Sequence, residues 1–349
     1  MAAQTVAQQS LLPLLQEGKP NATGWLRRRI VLAVILAVVL ILPTLNISFL
    51  LPNFVSYGLV FVMIGISLNI LMGYAGQISL GHQAFVGVGA FTSALLVSKA
   101  GLVFWLALPV AAGTGAFAAV VLGFVALRLA GLYLALITLA YGTLAERVIF
   151  SLADSGGAGV QAPRPSGFSS ELAYVYLCAA FIALFYYLDW RLVRSKAGRA
   201  IMTIRENEIV AASFGINVVA YKLLAFVTSG AIAGVAGAFL AHRQEIAAAA
   251  DFSFTLALTF VLMVAVGGVG SRAGVFMASF FFAVFPLAAP FPGEVTEAIG
   301  AILLLLTLTL NPGGIAQQVR PVTAWLAGKP FSMKHHEGGV QTGGAGVRP

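Results

Sequence analysis

A polytopic α-helical membrane protein is the class this sequence predicts, and three observations predict it. Only 9% of the 349 residues are charged and 60% are hydrophobic, with a mean hydropathy of +0.95, whereas a soluble domain carries about 25% charged residues. Apolar runs recur at or near the roughly 20 residues that span a bilayer. The 38 glycines suit helices that must pack closely where no hydrophobic effect drives them together. A membrane β-barrel would need alternating strands of about ten residues, and these runs do not alternate. The expectation is an all-α bundle of about 10 transmembrane helices, within a range of about 8–10.

The elements follow in order. A polar lead, 1–29, ends in Arg27, Arg28 and Arg29. It resembles the charged start of a secretory signal, but it is long, no small-residue cleavage site follows closely, and further spans come after. Ile30 onward therefore reads as an uncleaved first span, 30–50, with Pro43 as a kink and the N-terminus in the cytoplasm. Span 2 covers 53–72, and a glycine-rich polar passage, 73–83, leads to span 3 at 84–98. Span 4 covers 102–127, Arg128 marks a tight turn, and span 5 covers 132–149. The loop 151–170 precedes span 6 at 171–188. The polar insert 189–222 leads to span 7 at 223–241, and spans 8, 9 and 10 cover 254–266, 274–289 and 295–310. The domain layout is thus a cytoplasmic segment 1–29, a transmembrane domain 30–311 and a cytoplasmic tail 312–349.

Charge tests this count. A net charge of +8 and a pI near 9.8 would suit nucleic acid, but the basic residues cluster in a few polar segments, as cytoplasmic loops do. With the N-terminus inside, the insert 189–222, the turn at Arg272 and the tail with Arg320, Lys329, Lys334 and Arg348 all fall inside. The loops 151–170 and 242–253 fall outside. Eight spans would keep this parity, with spans 3 and 8, the shortest, as the re-entrant candidates. Gly76–Phe91 and Gly267–Phe282 each set a glycine-rich break before a small-residue helix, which fits either an internal repeat or chance likeness.

No catalytic constellation stands out. There is no GxxxxGK[ST] phosphate loop, so ATP hydrolysis of that kind is not expected in this chain. The single cysteine, Cys178, lies in an apolar run and allows neither an intramolecular disulfide nor a cysteine metal cluster. His82, His242, His335 and His336 are dispersed, and no metal or cofactor is expected.

The insert 189–222 sets Arg191, Arg194, Lys196, Arg199, Arg205 and Lys222 against Asp189, Glu206 and Glu208. Within it Asn207 can cap a short helix, and Gly215 can supply the left-handed residue that ends it, with Ile216 placed to contact Ala211. Such a helix is too short to stand alone. It is either an ordinary amphipathic loop or a coupling helix seated on a motor domain, with Ala211 and Ala212 permitting close approach and Arg205, Glu206 and Glu208 as polar contacts. Arg191 to Arg199 read as a topology anchor and lipid-headgroup contact.

Two further segments invite a function. In the passage, Gly76, Gln77, Ser79, Gly81 and His82, followed by Phe85, form either a pathway-lining gate or a compact turn. His82 is either a hydrogen-bonded structural residue or a proton carrier. Glu146, beside Arg147, is either a pathway group or a snorkelling ion.

The stretch SKAGRAIMTIRENEIVAASFGINVVAYKLLAF, with Glu208-x-x-Ala211-Ala212-x-x-Gly215 at its core, resembles the cytoplasmic loop of permeases of the branched-chain amino acid family of ABC importers. So do SLNILMGYAGQISLGHQAFVGVGAFTSALL, LRLAGLYLALITLAYG and SFTLALTFVLMVAVGGVGSRAGVFMAS. The resemblance covers about 30–310, lies in the combination of motifs, and is nearer the M-type subunit. It implies the ABC importer permease fold and a transport subunit rather than an enzyme. It also implies alternating access for branched-chain or related amino acids. The implied partners are two ABC ATPase subunits that use ATP and Mg, a sister permease, an extracytoplasmic substrate-binding protein and lipid, but no nucleic acid. The implied location is the cell inner membrane. A Glu near position 146 also fits the family. Gly156-Gly157-Ala158, with Asp154 ahead of the pair, departs from the family's external loop, so urea and short amides stay open as substrates. A secondary transporter working alone is the rival class, against which the scarcity of charge in the spans counts.

Overall fold

The computed structural model describes residues 50–126, 129, 131–154, 157–288 and 302. Spans 1 and 10, Arg128, Gly156 and both terminal segments lie outside them. Every other expected span is a helix. We number these α1 (Leu50–Leu68), which runs on through a π-helical turn, Asn69–Tyr74; α2 (His82–Ser98); α3 (Phe104–Ala126); and α4 (Leu132–Leu144), extended by a π-helical stretch, Ala145–Phe150, and a last turn, Ser151–Asp154. Then come α5 (Glu171–Arg194), α6 (Lys196–Glu206), α7 (Glu208–Ser213), α8 (Val218–Gln244), α9 (Phe254–Gly267) and α10 (Arg272–Ala288).

Among the described residues, five helical stretches are long and apolar enough to cross a membrane: 52–74, 104–125, 132–154, 171–194 and 218–244. The helices α2, α9 and α10 are apolar but shorter. The described residues therefore support a multi-pass helical protein without reaching the expected ten. One small departure from an all-α fold is present. Val160–Gln161 (β1) and Ile246–Ala247 (β2) pair antiparallel, tying two long connections together.

Burial sorts the helices. Within the most hydropathic windows, 83% of α1 with its π turn and 72% of α8 are buried, against 28–39% for α3, α4 and α5. The outer helices keep large apolar side chains exposed, among them Phe117, Phe124 and Leu132. A soluble fold would hide these, but hydrocarbon solvates them. At the centre, α8 meets α2 and α3 through glycine. A Cβ on Gly234 would strike the α3 backbone at Ala111, and one on Gly89 would strike the α8 backbone at Gly234. Such close approach gives the dispersion contacts that hold helices together in lipid.

The connections alternate between two ends. The π turn, the residues around Leu129 and Gly131, α6, α7 and the turn at Val269 share one end, where they line a common cavity. The β pair, the loop around Arg164 and the 3-10 turn Ala249–Phe252 share the other, joined by Asp154, whose carboxylate accepts from Gly159 N (2.6 Å) and Ala249 N (3.2 Å). The parity expected from charge is thus kept across the described helices.

Candidate functional site

The polar insert 189–222 carries two short helices, α6 and α7, split where Asn207 takes an extended backbone (φ −159). Its Oδ1 accepts from Ile209 N (3.0 Å) and Val210 N (3.1 Å), capping α7. At the other end Gly215 adopts φ +75. Gly215 N donates to Ala212 O (2.9 Å) and Ile216 N to Ala211 O (3.2 Å), the paired bonds of a Schellman motif. The sequence reading set Arg205 among the polar contacts at the edge of this short helix. The structure places it in the last turn of α6, on the far side of the break at Asn207.

That difference matters for where Arg205 points. Its Nη1 donates to the Gly73 carbonyl in the π turn, and its aliphatic stem lies against Gly76. Gly76 has φ +69, and a Cβ there would sit 2.8 Å from Arg205 Cγ. A side chain at 76 would thus meet both backbone strain and a clash. The structure thus brings together Arg205 and Gly76, two sequence candidates 129 positions apart. Glu208, at the start of α7, pairs with the buried Lys222 of α8 at 2.6 Å.

The other insert candidates divide by face. Ala211 is fully buried within the chain, so it serves packing here, whereas Glu206 and Ala212 are exposed. Ile209 (82% exposed) and Phe214 (78%) project outward with Val210. The sequence reading missed these three. Their signal was an apolar residue on the polar face of a helix that has no room to bury it. Arg191 and Arg194 lie over the rings of Tyr187 and Trp190, at 6.0 and 4.3 Å from the centroids, as interfacial aromatic and basic residues do.

The passage after Tyr74 is non-helical from Gly76 to Gly81. It runs inward. Leu80 N donates to Thr138 Oγ1 (2.9 Å), and Gly81 lies against the Thr138 carbonyl, which is about 10 Å along α4 from Gly131 at the rise of an α-helix. There His82 Nε2 and Ser67 Oγ share a hydrogen bond (2.7 Å), while Ser67 Oγ donates to Ser229 O (2.9 Å) and Ser229 Oγ to Ser67 O (2.8 Å). Since the single Ser67 hydroxyl proton goes to Ser229 O, Nε2 must be the donor to Ser67 Oγ. His82 Nδ1 is left without a partner, as are Gln77 Oε1, Ser79 Oγ and both amide atoms of Gln83. Buried polar atoms are ordinarily paired, so this cluster at membrane depth calls for something polar to solvate it. Phe85, fully buried, packs edge-on to His82 (5.5 Å) and near Tyr141 (6.1 Å).

Glu146 does not join this cluster. It sits half-buried in the π stretch of α4, about 12 Å beyond Thr138 along the helix, and among the described residues it forms no ion pair. Reasoning from sequence also missed the pair formed by Arg272 with the buried Asp189, whose Oδ2 accepts from Tyr74 OH at 3.2 Å. Among the described residues no group of His, Cys, Asp or Glu is arranged to hold a metal ion.

A helical bundle with a lipid-facing rim, a broken polar passage at its centre and a short capped helix beside it is the build of a multi-pass membrane permease. Residues 50–308 match the family described as the branched-chain amino acid transport system / permease component, and the chain belongs to that family. It is similar to the high-affinity branched-chain amino acid transport system permease proteins LivM of Salmonella typhimurium and Escherichia coli. Each is 30% identical over 293 residues, covering 75% of this chain and 69% of the relative. No solved structure matches the chain.

Proposed function

We propose that this chain is the pathway-forming subunit of an ATP-driven importer of branched-chain or related aliphatic amino acids. The observation that carries the coupling role is the Arg205 link. Arg205, in the last turn of α6, also grips the π turn and packs on Gly76, so displacement of α7 bears directly on the entrance of the polar passage. Partner ATPases, two in number and using ATP and Mg, dock on α7 through Ile209, Val210 and Phe214, with Glu206, Glu208 and Ala212 at the rim. Ala211 and Gly215 shape the helix. The pathway follows Gly76, Gln77, Ser79, Gly81 and His82, where the unpartnered atoms mark a wetted track. Phe85 is its apolar backing, and Glu146 lies further along the outer half.

In this reading the fold has about ten spans within 30–311, flanked by cytoplasmic segments 1–29 and 312–349, in the cell inner membrane. A sister permease completes the pore, a binding protein delivers substrate from outside, and lipid headgroups meet Arg191 to Arg199. This chain itself binds no cofactor. Proteoliposomes containing the assembled complex are the test. Uptake of leucine, isoleucine or valine that needs ATP and the binding protein is expected. Uptake of urea or acetamide in preference, or ion-driven uptake by this chain alone, would overturn the reading.

A further inference from the structure

Beside α7 the chain leaves a cavity of about 420 Å³, within the range of small-molecule sites. Three polar groups on its wall have capacity to spare. Arg205 gives one bond to the Gly73 carbonyl, and a guanidinium has five N–H donors. It forms no ion pair among the described residues. Glu208 engages Lys222 through Oε2, so the charge of Lys222 is answered and that of Arg205 is not. Gln77, only 5% exposed, keeps Oε1 without a partner. Met72, Leu134 and Ile204 supply apolar wall.

We propose that this cavity binds an aliphatic α-amino acid as a zwitterion, as the last station of the transport route. The proposal rests on reading the chain as an amino-acid permease and names a site within it. The carboxylate fits the unanswered guanidinium, which matches a carboxylate in a two-bond fork. The ammonium, with three donors and no acceptor, satisfies Gln77 Oε1 and the remaining oxygen of Glu208. The side chain lies on Met72, Leu134 and Ile204. A plain anion would leave the Gln77 acceptor unpaired and face the Glu208 carboxylate, while an amine would confront Arg205. Gln77 also opens the polar passage toward Ser79 and His82, so a substrate leaving that track enters the cavity without crossing an apolar barrier. Occupancy places charge on the residue that joins α6 to the π turn. Substrate accumulated on the α7 side therefore acts on the same link that carries the motion of α7.

Equilibrium binding of radiolabelled leucine tests this, using the assembled complex in phosphatidylcholine nanodiscs without ATP or binding protein. Saturable binding is expected, displaced by leucine and valine but not by 4-methylpentanoate, which lacks the amine, or by isopentylamine, which lacks the carboxylate. Arg205→Gln is expected to weaken binding about 10- to 100-fold, the loss of a charged hydrogen-bond pair. Gln77→Leu is expected to weaken leucine binding about tenfold and to leave any residual 4-methylpentanoate binding unchanged. Arg205→Lys, which keeps the charge without the fork, should fall between and serves if the Gln variant does not assemble. Absence of saturable binding, equal displacement by 4-methylpentanoate, or wild-type affinity in the Arg205 and Gln77 variants would overturn the site. Uptake in proteoliposomes is read in parallel. Leucine uptake without binding refutes the cavity alone, and binding without uptake refutes the permease reading alone.

Discussion

At the β-pair end, the connections are fastened to one another. Arg164 reaches Glu171 Oε1 at 2.5 Å, and its Nε lies 3.0 Å from Glu245 Oε1, close enough for charge contact although the angle makes no hydrogen bond. His242 joins Ser93 Oγ (2.9 Å) to the Pro163 carbonyl (2.6 Å), Tyr174 OH donates to Phe239 O (2.6 Å), and Arg243 holds Asn53. At the α7 end, long-range bonds also tie the bundle, Asp189 to Arg272 and Tyr74 and Gly270 N to Asn69 Oδ1 (2.9 Å), but α7 itself is held by a cap, a Schellman turn and the Glu208–Lys222 pair, with the Arg205 link beside it. A cavity lies among them. One end thus gains rigidity from bonds between connections distant in sequence. The other keeps a short helix whose outward face is apolar and unburied. Under the proposed function, the first arrangement serves as a closed gate and the second as a lever for a docking ATPase.

Three tests probe this contrast, beginning with the largest expected effect. Phe214→Asp, on the exposed face of the lever, should leave the permease's own unfolding temperature unchanged, since Phe214 is 78% exposed. In the assembled complex it should cut ATP-driven uptake about 30- to 1,000-fold, because a buried aromatic anchor at an interface is worth roughly 2–4 kcal/mol. Uptake at the wild-type level would remove α7 from the coupling interface.

The β-pair end should respond in the opposite way. Arg164→Ala leaves the partly buried Glu171 without its partner, at a cost of about 1–3 kcal/mol. The unfolding temperature of the purified chain should drop by about 2–4 °C for each kcal/mol, with docking of the ATPases unaffected. An unchanged unfolding temperature would mean that this network adds nothing to closure.

How far the contrast was legible in the sequence follows from the range of each interaction. The helices α1 to α5 and α8 to α10 were readable because a run of apolar residues is local information, whereas α6, inside the polar insert, was not read as a helix. The Asn207 to Gly215 motif was readable too, since its bonds join residues at most five positions apart. The Arg205 link, the Ser67–Ser229 exchange and the Asp189–Arg272 pair join positions 132, 162 and 83 apart. No periodicity announces which small polar residue of one span faces which of another. Composition shows only that a buried serine or aspartate needs some partner. The same reason hides the direction of Arg205. The sequence marks it as a polar contact beside the short helix, but the Gly73 carbonyl it meets lies 132 positions away. The outward turn of Phe214 was hidden for a different cause, since an apolar residue in a polar loop is explained only by an absent partner.

The smallest expected effect concerns the joint between lever and bundle. Lys222 is buried in the first turns of α8 while Glu208 remains about half exposed. The pair therefore combines a desolvated cation with a solvated carboxylate, and its net strength should lie near that of a surface pair, about 0.5–1 kcal/mol. A double-mutant cycle separates this coupling from the cost of each change. Glu208→Gln alone leaves Lys222 without its counter-charge and should cost about 0.5–1 kcal/mol, the worth of the pair. Lys222→Met removes the buried charge together with its desolvation, and Glu208→Gln added to it should cost almost nothing more. Thermal unfolding of the four proteins measures the cycle. A coupling near zero would show that α7 rests on its caps and on Ala211 alone. A coupling of several kcal/mol would make the joint as rigid as the β-pair end, and the contrast between the two ends would fail.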